Sequence, residues 1–137
     1  MVKVDDYEVK EGLYYSKDYL WVEVEDGKAK IGLTDYAQKQ LRDILVVDLP
    51  EAGTEVEKGE PFGTVESAKT VSDLIAPLTG VVEEVNSAVI DNPALINEDP
   101  YGEGWVIVIT PTKLEEELKE LMDFEAAVKW HEELVKG

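Results

Sequence analysis

Short β-type segments of apolar and β-branched residues begin at residue 20. Leu20 to Val24 and Lys28 to Leu33 are two such segments, and Asp26-Gly27 lies between them. Asp-Gly in this position is a strong hairpin signal, because both residues accept the positive φ of a tight hairpin turn. A third segment runs from Ile44 to Leu49 and ends at Pro50. The pattern predicts a β-hairpin followed by a further strand.

A short helix is predicted between the hairpin and the third strand. Thr34 offers a side-chain oxygen that can cap a helix from Asp35 to Leu41. Asp35 also places a negative charge in the first turn, where it interacts favourably with the helix dipole. We therefore expect one internal helix in a region that is otherwise rich in strands.

Glycine and proline recur at short intervals from residue 53 to residue 80 and separate further short strands. Among these strands are Thr64 to Glu66 and Val71 to Ile75, and Trp105 to Ile109 forms the last one. Between them, residues 86–101 are rich in Asn, Asp and Pro, which predicts a loop with one helical turn near Pro93 to Leu95. Many short strands with turn residues between them are typical of a small barrel or sandwich.

The pattern changes to a helical period after Pro111. Thr112 and Glu115 match a capping box, which predicts a first helix in which Glu115 to Glu117 are solvated. Asp123 can cap a second helix, from Phe124 to Val135, that ends at Gly137. We expect the apolar faces of both helices to pack on the strands.

The predicted fold class is mainly β with α, a small flattened β-barrel/sandwich hybrid with a short internal helix and C-terminal helices. We expect a single domain over residues 1–137, with a core at about 13–111 and helices at about 112–136, because 137 residues suffice for one core. No apolar run approaches the roughly 18 residues that would span a bilayer, and the acidic N-terminus shows no leader pattern. A cytoplasmic location is the default prediction.

The composition argues against an enzyme that uses its own nucleophile. The chain has no cysteine and one histidine, His131, so Cys-based metal sites, Cys nucleophiles and His-dependent triads are not expected. We interpret His131 as an ordinary helical residue, and we predict no catalytic residue and no metal site. Any thiol chemistry must therefore arrive on a cofactor.

The chain is strongly acidic, with 31 acidic and 13 basic residues and a net charge of −18. Such a surface repels phosphate backbones, so nucleic-acid binding is disfavoured. The charge suits either solubility or docking onto basic patches of partner enzymes, and the composition leaves both interpretations open.

Lys69 lies between two predicted strands and is therefore expected at or near a hairpin tip. An exposed turn lysine by itself is usually only solubilising. The surrounding string is more specific. Residues 66–80 read ESAKTVSDLIAPLTG, which resembles the lipoylation segment of glycine cleavage system H proteins, roughly E-S-x-K-x-x-S-D-x-x-x-P-x-x-G, at every fixed position.

Other segments resemble the same family in order and spacing over about residues 13–135. They include Tyr15 to Asp18 with Trp21, Ile31 to Gln38, Val47 to Glu51 with Gly53, Leu95 to Asn97, Pro100 to Gly102, and Gly104-Trp105. Biotin carriers share the general fold, but they usually flank the modified lysine with methionines. Here the neighbours are Ala68 and Thr70.

The resemblance implies a lipoyl-domain-like fold and a lipoate attached to Lys69 through an amide. It also implies a carrier rather than an enzyme, with no membrane partner. The arm would take an aminomethyl group from the pyridoxal-phosphate glycine decarboxylase to the aminomethyltransferase, and dihydrolipoyl dehydrogenase would reoxidise it. A lipoate-attaching enzyme is a further implied partner.

Glu66, Ser67 and Asp73 flank the implied modification site. Partners or the attaching enzyme could recognise them, or Ser67 and Asp73 could only stabilise the hairpin through local hydrogen bonds. The sequence leaves both interpretations open. Trp21, Tyr101 and Trp105 are expected to be core or cleft-wall aromatics.

Two residues depart from the family pattern. Tyr19-Leu20 stands where the family usually has His-Glu, and the resemblance implies that this acidic residue lines the cleft that shelters the charged arm. Leu20 cannot make a charge-assisted hydrogen bond to an amine. Arg42 stands where the family usually has Gly, so we expect a slightly altered turn there if that Gly has φ > 0. An alternative is therefore an H-like lipoyl protein of another system, such as heterodisulfide-reductase-like sulfur oxidation.

Overall fold

Three antiparallel sheets and five helices make up the computed structural model, which describes residues 1–136. The strands are β1 (Val2–Val4), β2 (Tyr7–Val9), β3 (Tyr14–Tyr15), β4 (Leu20–Glu25), β5 (Lys28–Leu33), β6 (Ile44–Asp48), β7 (Glu55–Val56), β8 (Pro61–Ser67), β9 (Val71–Ile75), β10 (Gly80–Val85) and β11 (Ile107–Pro111). The helices are α1 (Asp35–Leu41), α2 (Ser87–Asp91), α3 (Ala94–Glu98), α4 (Leu114–Leu118) and α5 (Phe124–Lys136).

The predicted fold class is confirmed: the chain is mainly β with short helices. One sheet has the order β3-β4-β5-β11-β10-β7, a second has the order β6-β8-β9, and β1 pairs with β2. The first two sheets share one apolar core, to which β4 and β5 contribute Leu20 and Ile31, and β6 and β8 contribute Val47 and Val65. The sheets form a sandwich and do not close into a barrel.

The predicted hairpin and internal helix are confirmed. β4 and β5 pair around Asp26 and Gly27, which have φ values of 52° and 76°. Thr34 caps α1, because its Oγ1 accepts a hydrogen bond from the Ala37 N–H at 3.1 Å. Local sequence signals determine these elements, because the contacts that form them lie within a few residues.

Arg42 ends α1 in a conformation that favours glycine, with φ 66° and ψ −150°. Its N–H donates to the Gln38 carbonyl at 2.9 Å, and its carbonyl accepts from Asn97 Nδ2 at 2.7 Å. The positive φ is therefore present at this position without a glycine, and Asn97 in α3 helps to hold it.

The predicted capping box at Thr112 is wrong. α4 begins at Leu114 with Lys113 as its N-cap residue, and no side chain caps it. The Thr112 N–H donates to the Thr79 carbonyl at 3.0 Å, so backbone pairing beyond β11 uses the residue that was expected to cap the helix. The cap at Asp123 is confirmed, since its Oδ1 accepts from the Ala126 N–H at 2.9 Å. The predicted end at Gly137 lies outside the described residues.

Glu117 is buried, contrary to the expectation of a solvated acidic run. Its two carboxylate oxygens accept from the N–H and the hydroxyl of Thr79, both at 2.7 Å. A buried carboxylate requires such partners, and only the packing of α4 on the segment between β9 and β10 provides them. Glu115 and Glu116 are exposed.

Residues 86–101 contain two helices, α2 and α3, rather than one helical turn. The Asn86 side chain caps α2 by accepting from the Ala88 N–H at 3.2 Å. The last strand was predicted to begin at Trp105, but β11 begins two residues later, at Ile107. Trp105 belongs to the preceding turn instead, because its N–H donates to the Gly102 carbonyl at 3.3 Å.

The N-terminal strands, which the sequence did not predict, pack with the last helix. α5 contacts β1, β2 and β3, and the four elements are called the terminal layer below. Side chains of this layer form an apolar cluster together with Trp21 of β4 and with Leu13 and Tyr101; the layer itself contributes Val4, Val9, Tyr15 and Ala127. His131 lies in α5, within this layer, and is fully buried.

Candidate functional site

Lys69 lies at the tip of the β8–β9 hairpin, as predicted. Backbone pairing in this hairpin continues to Glu66 and Val71, and the Ser67 N–H donates to the Thr70 carbonyl at 2.9 Å. Ala68, Lys69 and Thr70 are therefore left outside the strands and are exposed. The hairpin presents the lysine away from the core.

Ser67 holds the backbone at the root of Lys69. It is buried, and its Oγ accepts from the Lys69 N–H at 3.3 Å and donates to the Thr70 carbonyl at 3.4 Å. Such local side-chain bonds are a common way to fix a tight turn. The serine thus restrains the backbone from which the lysine side chain extends.

The Lys69 side chain is exposed to solvent. It makes no ion pair or hydrogen bond with any other group in residues 1–136. Glu66 and Asp73, on either side of it, are exposed, and their side chains also have no such partner in this part of the chain. Their carboxylates are therefore open to an approaching molecule.

A cleft of about 300 Å³ begins beside this hairpin and lies between β4, α1 and β9. Its apolar lining consists of Leu20, Leu33, Ala37, Leu41, Val65 and Leu74. Its polar lining consists of Asp18, Tyr19, Tyr36, Gln40, Ser72 and Asp73. An apolar groove with a few polar groups suits an aliphatic chain with a polar end.

Aromatic rings connect this cleft to the terminal layer. The Tyr19 ring stacks on Tyr36 with centroids 5.6 Å apart and on Trp130 of α5 at 5.4 Å. This wall was not predicted from the sequence, because its three residues come from distant segments. Its only local signals were the aromatic residues just before β4 and in the first turn of α1.

Leu20 is 2% exposed and forms part of the apolar lining, where it pairs with Leu33 across β4 and β5. No carboxylate therefore lies at this position of the cleft. The acidic groups that line it are Asp18 and Asp73 instead.

Trp21 and Tyr101 are buried and do not line the cleft. Of the two positions expected for them, core or cleft wall, they occupy the core. The Trp21 indole N–H donates to the Pro100 carbonyl at 2.9 Å, and the Tyr101 hydroxyl donates to the Glu8 carbonyl at 2.7 Å. Burial raises the pKa of the Tyr101 hydroxyl, and it raises the pKa of the Tyr15 hydroxyl to about 12. Both phenols therefore stay neutral and can donate a hydrogen bond. Trp105 is half-buried, with Lys30 Nζ 5.7 Å from its ring centroid.

The fold and the site define a class: a small β-sandwich that presents an exposed lysine on a hairpin beside an apolar cleft. The family model described as "Glycine cleavage H-protein" matches residues 13–134. The chain belongs to this family, whose members are lipoate-bearing carrier proteins.

Individual relatives agree with this assignment. The chain is 53% identical over 135 residues to a probable glycine cleavage system H protein of Thermococcus gammatolerans, covering 98% of this chain and 100% of the relative. It is 57% identical over 126 residues to a probable H protein of Pyrococcus abyssi, covering 91% of this chain and 93% of the relative. The crystal structure of a glycine cleavage system H protein from Mycobacterium marinum matches with a TM-score of 0.74 and 44% identity, covering 76% of this chain and 87% of that one.

No helix within residues 1–136 combines the length and the apolar character needed to cross a membrane.

Proposed function

We propose that Lys69 bears a lipoyl group in amide linkage and that this chain is the cytoplasmic lipoyl carrier of a glycine cleavage system. In this role it serves the glycine decarboxylase, the aminomethyltransferase and dihydrolipoyl dehydrogenase in turn. The observation that carries the proposal is the placement of Lys69, which is exposed and has no partner within residues 1–136, at the tip of a hairpin whose backbone Ser67 holds. A carrier needs a fixed root for its arm, and the Ser67 bonds within this turn provide one.

The residues around Lys69 fit a lipoyl arm. An arm on this lysine reaches roughly 14 Å from Cα by covalent geometry, and the cleft lining begins at Ser72, in the strand that leaves the hairpin. Leu20, Leu33 and Leu74 give the groove an apolar lining that suits the aliphatic part of the arm. When bound, lipoate supplies a dithiolane that accepts a group on reduction and is restored on oxidation.

The chain itself positions the arm and contributes no thiol that could interfere with it. The sandwich holds the lysine backbone, and tethering raises the local concentration of the attached group at a docked partner. The chain has no cysteine, so no thiol of this protein competes in disulfide exchange. We also propose that residues 1–137 act as a single domain.

We assign different roles to the residues that flank Lys69. Ser67 positions the lysine through its two bonds within the turn. Glu66 and Asp73 are recognition residues, because they are exposed and unpaired within the described residues and therefore contribute nothing to the hairpin by ion pairing.

Intact-mass analysis of protein purified from its native host tests the attachment. Wild type should carry an adduct of about 188 Da, the mass of one lipoyl group in amide linkage. Lys69→Arg should lose the adduct completely, because a guanidinium does not form this amide. Lys113→Arg, a matched change at another exposed lysine, should retain it. An unmodified wild type from lipoate-replete cells would refute the proposal.

One observation favours a different cargo. Leu20 leaves the cleft without a carboxylate at the position where the family usually has one, as would suit a sulfur-carrying, heterodisulfide-reductase-like system with no amine to neutralise. The lipoylated protein should be assayed for glycine decarboxylation with the partner enzymes of its own host. Exchange of the glycine carboxyl carbon with bicarbonate supports the glycine cargo. Intact lipoylation without exchange refutes it and leaves the carrier function standing.

A further inference from the structure

Three large apolar side chains are exposed beside Lys69. Leu45 is 55% exposed, Val46 is 50% exposed and Val71 is 59% exposed. The sequence predicts a strand from Ile44 to Leu49 but does not indicate that Leu45 and Val46 are exposed. The three side chains lie on the sheet β6-β8-β9, which carries the Lys69 hairpin.

A β-bulge and the strand register explain this exposure. The pairing of β6 with β8 shifts between Ile44 and Val46, so that Leu45 and Val46 are both exposed in succession. Val46 then pairs with Glu66, and Glu66 pairs with Val71. These residues form one row across three strands, called the outer row below. The neighbouring positions Val47 and Val65 point into the core instead.

The outer row has a charge at its centre. Glu66 is exposed between the two valines and forms no ion pair within residues 1–136. Asp48 follows two residues after Val46 and is therefore on the same face, and it is also exposed. The complementary surface is an apolar pad with a cation, an arginine or a lysine, opposite Glu66.

The reach of the lysine decides which partner needs this contact. An unmodified lysine extends only about 6 Å from Cα, whereas a lipoylated one extends roughly 14 Å. An enzyme that acts on the Lys69 nitrogen itself must therefore cover the flanks of the hairpin, and Val71 is two residues from Lys69. An enzyme that acts on the end of the arm can stand further away.

We propose that the outer row, together with Leu45, is the docking surface for the lipoate-attaching enzyme. This inference rests on the proposed lipoylation of Lys69 and adds the surface that the attaching enzyme recognises. Docking covers Val46 and Val71 and pairs Glu66 with a cation. The Lys69 nitrogen then attacks the acyl carbon of a lipoyl adenylate. An amide bond forms, the bond from that carbon to the phosphate oxygen breaks, AMP leaves and a proton passes from nitrogen to solvent, with no change in oxidation state.

The test measures the rate of lipoyl transfer by a purified ATP-dependent lipoate–protein ligase, followed by intact mass. The double variant Val46→Thr/Val71→Thr keeps β-branched side chains in the strands while it makes the row polar. Its transfer rate at subsaturating protein should fall about tenfold, because docking no longer buries two exposed valines. Val2→Thr, a matched change on an exposed strand of the terminal layer, should leave the rate unchanged.

Glu66→Gln is a second variant that should not disturb folding, because Glu66 is exposed and unpaired within the described residues. Its transfer rate should fall severalfold and should depend less on salt than that of wild type. Glu116→Gln, at an exposed glutamate of α4, is the control and should behave as wild type.

The fully lipoylated double variant distinguishes the partners. Dihydrolipoyl dehydrogenase with NADH should reduce its arm at the wild-type rate, because that enzyme acts on the end of the arm. Wild-type transfer rates for both outer-row variants, or an equal loss in transfer and in reduction, would overturn the assignment to the attaching enzyme. Failure of the wild-type protein to be lipoylated at all is a separate result. It would refute the proposed function, and the inference with it.

Discussion

The Lys69 hairpin and the terminal layer are built from opposite kinds of contact. The hairpin is held by bonds between residues that are neighbours in the sequence, such as Ser67 with Lys69 and Thr70, and it leaves its central residue exposed. The terminal layer joins the two ends of the chain through buried side chains and long-range bonds, such as that from the Tyr101 hydroxyl to the Glu8 carbonyl. The comparison shows that the reactive group and the stability of the fold are separated. Changes in the hairpin should alter chemistry, and changes in the terminal layer should alter stability.

Trp21→Ala should give the largest loss of stability. Trp21 is 1% exposed, and it packs so closely on Gly32 that a Cβ there would lie 2.5 Å from the ring. Loss of a large buried aromatic side chain should lower the free energy of unfolding by about 3–5 kcal/mol. Urea denaturation measures this. Val71→Thr, in the hairpin, should change it by less than about 0.5 kcal/mol. Similar losses in both variants would remove the distinction between the two regions.

Tyr101→Phe tests the long-range bonds directly. The Tyr101 hydroxyl donates to the Glu8 carbonyl at 2.7 Å and accepts from the Asp35 N–H at 3.4 Å, so it ties β2 to α1. Its removal should lower the free energy of unfolding by about 1–2 kcal/mol. Tyr14→Phe is the control, because that hydroxyl makes no hydrogen bond within residues 1–136 and the change should cost little. The lipoylation rate should be unchanged in both variants, and a slower rate in Tyr101→Phe would contradict the separation.

His131 should make the stability of the terminal layer depend on pH. Its Nδ1 donates to the Ala127 carbonyl at 2.7 Å, whereas its Nε2 is buried without a partner in residues 1–136. Tyr15, Tyr36 and Trp130 surround the ring, with Asp35 as the charged group that acts on it. Burial disfavours the imidazolium and lowers the pKa of His131 below its usual value, although the Ala127 bond and Asp35 oppose this shift.

Because the folded pKa is lowered, the unfolded chain takes up the proton first as the pH falls. The stability that neutral His131 contributes is therefore full above about pH 6.5 and is lost as the pH falls towards the folded pKa. One proton gives a slope of at most about 1.4 kcal/mol per pH unit. His131→Phe should remove this component between about pH 7.5 and about pH 5.5, measured by urea denaturation at each pH. Trp130→Phe keeps the histidine, so this variant should retain the pH-dependent component of the stability. Parallel profiles of stability against pH for wild type and His131→Phe would show that the histidine is not responsible.

Lys69→Ala should have the smallest effect on stability. The side chain is exposed and has no partner within the described residues, so the free energy of unfolding should change by less than about 0.5 kcal/mol. The same change should abolish the lipoyl adduct. A thermal shift as large as that of Tyr101→Phe would mean that the lysine has a structural role as well.

The two regions also differ in how well the sequence predicted them. The hairpin around Asp26-Gly27, the Thr34 cap and the strands on either side of Lys69 follow from local signals, and the structure has them where they were expected. The N-terminal strands and the Trp130–Tyr19–Tyr36 stack gave no comparable signal. Their residues are far apart in the chain, and their positions depend on how the sheets pack.

Two wrong predictions, the helix cap at Thr112 and the solvated side chain of Glu117, have the same cause as the missing signals. Thr112 has the residue type of a helix cap, but its backbone N–H is paired with the Thr79 carbonyl. Glu117 has the residue type of a solvated helix surface, but its carboxylate bonds to Thr79. In both cases a residue 33 or more positions earlier in the chain decides the outcome, and a local pattern contains no information about it.

The sequence by itself determined the hairpin that presents Lys69 and the family to which the chain belongs, because turn chemistry and strand pattern act over a few residues. Only the tertiary structure decided that His131 is buried, that Leu45 and Val46 are exposed by a bulge, and that an apolar cleft begins beside the lysine. These features depend on the register and packing of distant segments. The physical reason is that the burial of a side chain depends on contacts from the whole folded chain, whereas a turn depends only on the few residues that form it.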